Sequence, residues 1–121
     1  MRLFSSVALA AGLLAFAPSA HAGDQDFTLV NRTGYQIDDL WVSPSRSDSW
    51  GREIMGRGNV LSDGDTYDVS FSRHAQACHF DLKVQYNDGD VATWRDLNLC
   101  EISKVSLYWD RKNNTTRART E

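Results

Sequence analysis

No second long apolar run follows residue 16 of this 121-residue chain, no stretch of it is strongly basic over a whole face, and no Gly-x-Ser-x-Gly elbow occurs. The first absence leaves nothing after the N-terminal segment that reaches the ~20 apolar residues a membrane-spanning helix needs. The second removes nucleic acid and anionic membranes as expected partners, because phosphate contact needs a basic face. The third removes the usual signature of a serine nucleophile on a strand-to-helix turn. Internal repeats and interdomain linkers are missing too, so one small domain is expected.

Met1-Arg2, the apolar run Leu3 to Phe16 and the closing Pro18-Ser19-Ala20-His21-Ala22 form the three parts of a secretory signal peptide, residues 1–22, cut after Ala22. Removing those 22 residues leaves 99, with 12 basic and 16 acidic side chains and a net charge of −4. Residues 23–110 are expected to form the domain, and 111–121, with Arg111, Lys112, Arg117 and Arg119, a flexible basic tail. The destination is the periplasm or the exterior. There the two cysteines, Cys78 and Cys100, are expected to form a disulfide.

Apolar residues recur with period two, the pattern of half-buried strands. Cys78, Phe80, Leu82, Val84 and Tyr86 share one face against His79, Asp81, Lys83 and Gln85 on the other. Tyr67, Val69 and Phe71 alternate likewise, as do Val105, Leu107 and Trp109. Between Tyr35 and Ser43 the parity breaks: Tyr35 and Ile37 belong to one set, Leu40 and Val42 to the other. A β-bulge near Asp38-Asp39 keeps both pairs inward. Asn87-Asp88-Gly89-Asp90 is a hairpin signal, and pairing Tyr86 with Ala92 sets Val84 against Trp94 and Cys78 against Cys100.

About seven short strands in under a hundred residues predict an all-β fold, a single antiparallel β-sandwich of immunoglobulin-like or C2-like look, with an open barrel as the alternative. Within 41–55, Pro44 ends a strand. Asp48 or a flanking serine is placed to cap one short helical turn over residues 49–55, with Trp50 and Ile54 on one side and Gly56 at its end. Trp50 is expected to bury its ring and hold the loop down. Trp94 and Trp109 fit core parity, leaving Trp41 and Tyr108 as exposed aromatics.

Several stretches together resemble a family of small exported bacterial proteins with no established activity. They are Phe27-Thr28-Leu29-Val30-Asn31 with Thr33-Gly34, Val42-Ser43-Pro44-Ser45, Asp48-Ser49-Trp50-Gly51, Gly56, Asp81-Leu82-Lys83-Val84, Asp88-Gly89-Asp90 and Asn98-Leu99-Cys100-Glu101. The likeness runs through nearly all of the expected mature domain. Members sometimes carry the transferred name argininosuccinate lyase. True lyases of that kind are long helical chains with a Gly-Ser-Ser loop and multi-subunit active sites, and none of these features is in this sequence.

Three functional readings compete. The leading one is a non-enzymatic, monomeric binding module without a cofactor, gripping a protein or envelope component through Trp41, Ser45, Ser47, Asp48, Trp50 and Arg52, because recognition usually sits in loops on a rigid scaffold. The second is calcium-assisted binding through Asp38, Asp39, Asp63, Asp65, Asp88 and Asp90. It has the oxygen donors calcium prefers but lacks the Asp-x-Asp-x-Asp-Gly ladder, and Asp-Gly is also what tight turns require. The third is a small hydrolase using a loop serine with His74 or His79, which needs an oriented base and an oxyanion site. His79 with Asp81 is also a weak transition-metal pair.

Overall fold

A computed structural model describes residues 25–72 and 74–121; the signal peptide expected at 1–22 lies outside the described residues. Seven strands follow one another: β1 (Phe27–Arg32), β2 (Ile37–Pro44), β3 (Thr66–Val69), β4 (His79–Tyr86), β5 (Val91–Asn98), β6 (Lys104–Asp110) and β7 (Thr115–Thr120). They make two sheets, one in the order β3-β1-β6-β7 and one in the order β2-β4-β5. Leu29, Val105 and Leu107 of the first sheet and Leu40, Leu82, Val84 and Trp94 of the second belong to one buried cluster. The arrangement is all-β and two-layered, and it fits a sandwich. Each fully buried Leu or Val there contributes about 1.5–3 kcal/mol.

The expected bulge is present. Ile37 pairs with Tyr86 and Asp39 with Gln85, so Asp38 is the extra residue and Leu40 returns inward against Val84. The hairpin register is corrected by two residues: Val84 faces Ala92 and Leu82 faces Trp94. A shift of two preserves parity, so Trp94 stays inward. A second irregularity between Phe80 and Leu82, with Asp96 at φ 61°, then moves the pairing back toward the cysteines. Cys78 and Cys100 are joined.

Three expectations are overturned. The pairing is not wholly antiparallel, since β1 runs parallel to β6. No helical turn forms over 49–55. Ser49 Oγ does accept the Gly51 amide, as a capping serine should, but Gly51 (φ 74°) turns the chain out of the right-handed helical region. The basic segment 111–121 is not a loose tail: Thr115–Thr120 pairs with β6 from Asp110–Thr115 to Val105–Thr120, while its side chains remain almost all exposed.

Local polar anchors complete the fold. Asn31 is fully buried. Its Nδ2 donates to the carbonyls of Tyr35 and Leu61, and its Oδ1 accepts from the Thr33 amide and hydroxyl. One side chain thus closes the β1–β2 turn against the return segment at Leu61, and all four of its bonding positions are filled. Trp94 Nε1 of one sheet donates to the Arg117 carbonyl of the other at 2.9 Å.

Candidate functional site

Strand alternation sets the outer face of β2-β4-β5. Trp41 pairs with Lys83 and Ser43 with Asp81, and Lys83 pairs with Thr93, two residues before Arg95. Lys83 Nζ lies 4.3 Å from the centre of the Trp41 ring and 5.1 Å from that of Trp50. The Arg95 guanidinium carbon is 5.7 Å from the Trp50 ring. Two indoles and two cations therefore meet on one surface, within the range where a cation is drawn to an aromatic face. Among the described residues Lys83 has no carboxylate partner, the ion pairs being His79–Asp96, Arg95–Asp81 and Lys104–Glu121.

Trp50 reaches this face because the loop after Pro44 folds back over it. Ser43 Oγ and Ser47 Oγ both donate to the Ser49 carbonyl, at 2.8 and 3.0 Å. Ser45 is tied twice, its amide to the His79 carbonyl and its hydroxyl to Asp81 Oδ1 at 2.8 Å. Trp50 is half-buried rather than sunk in the core, so the expectation that its ring holds the loop down is corrected. Glu53 does that instead. Its carboxylate accepts the amides of Leu40, Met55 and Gly56, each at 2.9 Å, while Ile54 donates to the Leu40 carbonyl and Met55 is buried.

Asp81 is buried beneath this surface. It accepts the Ser45 hydroxyl, the Asp96 amide at 2.9 Å and Arg95 Nη1 at 2.8 Å. Burial works to raise its pKa, but the Asp96 amide, the Ser45 hydroxyl and Arg95 together outweigh it and hold the carboxyl below its usual range. Ser43, Ser47, Asp48, Trp50, Asp81 and Arg95 border a shallow cleft of about 160 Å³.

Of the residues expected to bind, Trp41 and Trp50 converge, Ser45 and Ser47 shape the loop, and Asp48 borders the cleft. Arg52 is exposed in the loop. Sequence reasoning missed Lys83, Arg95 and Glu53 as site residues. The outward parity of Lys83 was the available signal, but its meeting with Trp41 depends on the β2–β4 register, which no local pattern reveals.

The six aspartates are not brought together. Asp38 accepts Gln36, Asp63 the Gly34 amide, Asp65 the Ser62 amide and Asp88 the Asp90 amide. No group of three or more His, Cys, Asp or Glu side chains placed to hold one metal occurs among the described residues. His79 Nδ1 lies 2.9 Å from Asp96, and the Ser45 hydroxyl points to a carboxylate rather than to an imidazole. Trp109, expected in the core, is only half-buried and lines a cavity at the other end of the molecule. Tyr108 lies beneath Arg117, 5.2 Å away.

No family model matches the chain, and no curated protein matches it. Among solved structures it is similar to the NMR structure of a protein from Eubacterium rectale, with a TM-score of 0.54 and 21% identity over 84% of this chain and 94% of that one. At that identity the likeness carries the fold alone. No described helix is long and apolar enough to cross a membrane.

Proposed function

We propose that the protein is an exported, monomeric, non-enzymatic binding module, a disulfide-stapled β-sandwich that grips a protein or envelope component through the outer face of β2-β4-β5 and the loop after Pro44. The observation that carries this reading is the convergence of Trp41, Trp50, Lys83 and Arg95 on one solvent-facing surface. Tryptophan and arginine dominate binding energy at protein interfaces, and rings already held in place lose little freedom on binding. Export rests on the N-terminal segment 1–22, and the Cys78–Cys100 bond suits an oxidising compartment. The resemblance to small exported bacterial proteins belongs to the same reading.

Pull-down from the native envelope tests it, using the intact chain, a chain lacking residues 45–52, and Trp50→Ala. The expected outcome is a retained component that the deletion loses and that Trp50→Ala binds more weakly by about 2 kcal/mol, near thirtyfold. Full retention of every component by both variants, with their disulfide and melting temperature unchanged, disposes of the reading.

A further inference from the structure

Away from the disulfide, two connections and the end of a strand meet where the two sheets end. The β1–β2 turn brings Tyr35, the β4–β5 hairpin brings Tyr86, Asp88, Asp90 and Val91, and the last turn of pleat in β6 brings Trp109. Together they line a cavity of about 250 Å³. That is just under the roughly 300–1,000 Å³ of pockets that take drug-sized ligands, so the space suits a group of headgroup size. Tyr35 and Tyr86 meet edge to face with ring centres 5.9 Å apart. Among the described residues the exposed large hydrophobic side chains are Tyr35, Val60 and Val91, and two of these three stand at this mouth.

The charge of the lining is of one sign. Asp88 and Asp90 contribute carboxylates, no lysine, arginine or histidine lines the cavity, and neither aspartate is in an ion pair among the described residues. Aromatic faces are themselves electronegative. A sugar would ask the wall for several donors as well as acceptors; the carboxylates only accept, which leaves two phenols and one indole N–H as the side-chain donors of this lining. A primary ammonium keeps its water and its need for acceptors on every N–H. A quaternary ammonium has no N–H to satisfy, and its methyl groups can pack on the rings while its charge is drawn by the rings and the two carboxylates.

We infer that the cavity formed by Tyr35, Tyr86, Trp109, Asp88 and Asp90 binds a quaternary ammonium group. It is separate from the tryptophan–lysine face on β2-β4-β5 and stands or falls independently of it.

Choline chloride titrated into the intact disulfide-bonded protein tests the assignment, read from the indole Nε1–H resonance of Trp109. A saturable shift in the millimolar range is expected, with the Trp41 and Trp50 indoles unmoved. The neutral isostere 3,3-dimethylbutanol should bind at least tenfold more weakly. Asp88→Asn with Asp90→Asn should weaken choline at least fivefold, and Tyr35→Ala at the exposed rim, which leaves the Trp109 reporter in place, should weaken it at least fivefold as well. Sedimentation with phosphatidylcholine vesicles separates the sources: binding of choline and vesicles assigns a lipid headgroup, and binding of choline alone assigns a free solute. The inference is overturned if the neutral isostere binds as well as choline, if glucose moves the Trp109 resonance in its place, or if choline produces no saturable shift.

Discussion

Asp81 is the residue on which the outer face turns. A carboxylate this far from water is tolerated only because an amide, a hydroxyl and a guanidinium all donate to it. Those donors fix the Ser45 loop and Arg95, which in turn places a cation against Trp50. Because its folded pKa lies below the ordinary value of 3.8, the unfolded chain takes up the proton first as pH falls. The stabilisation is therefore complete above the ordinary carboxylate range, and it is lost as pH drops through the lower folded pKa. Asp81→Asn should cost about 1–3 kcal/mol near pH 7, and the gap from wild type should close below pH ~4, where the unfolded carboxyl protonates. Urea denaturation of both proteins from pH 7 to 2 checks this; a gap that stays constant across the range would mean that Asp81 charge contributes nothing. Single residues of this kind were only half legible beforehand. Outward parity placed Asp81 and Lys83 on the same surface, but the partners of Asp81 lie 14 to 36 positions away in sequence, and those of Lys83, Trp41 and Trp50, are as remote.

At the scale of elements, legibility followed the source of each element's stability. Strands that bury one face announce themselves by alternation, and even the bulge at Asp38 was visible because parity broke around it. β7 was invisible because Thr115–Thr120 buries almost nothing; it is held by backbone pairing to β6, which leaves no mark on composition. The loop after Pro44 misled for a different reason. Its serines and Asp48 suit a helix start, yet the glutamate that follows captures three amides outside any helix. Since Leu40 sits on the outer edge of β2, Glu53 also covers a strand edge that would otherwise be open to another chain. Glu53→Ala should therefore cost about 2 kcal/mol, with Glu53→Gln recovering part of it through its remaining carbonyl oxygen. Hydrogen exchange distinguishes local pinning from general weakening: the Leu40 amide should exchange at least tenfold faster while Leu82, in the middle of its sheet, changes less. Equal acceleration at both sites would show that Glu53 does not pin the loop locally.

For the whole molecule the question is what keeps a three-stranded sheet closed on a four-stranded one in so short a chain. One hydrophobic cluster spans both, Trp94 donates across to Arg117, and β5 and β7 approach one another. Small domains bury a limited share of their surface, so a covalent tie matters more here than in a larger protein. Cys78 and Cys100 clamp the open end of the β4–β5 hairpin at a separation of 22 residues, opposite the turn that lines the aromatic cavity. In the chain-entropy description, closing a loop of that length contributes roughly 3 kcal/mol by restricting the unfolded state. Cys78→Ser with Cys100→Ser should lose about that much in urea, and Leu99, whose amide bonds the Cys78 carbonyl, should lose hydrogen-exchange protection before Ala92 near the turn does. The Trp109 indole should keep its choline response in the folded fraction, because the cavity lies at the hairpin's closed end. An unfolding midpoint that is the same for wild type and the double variant would place the molecule's stability in its two-sheet core alone.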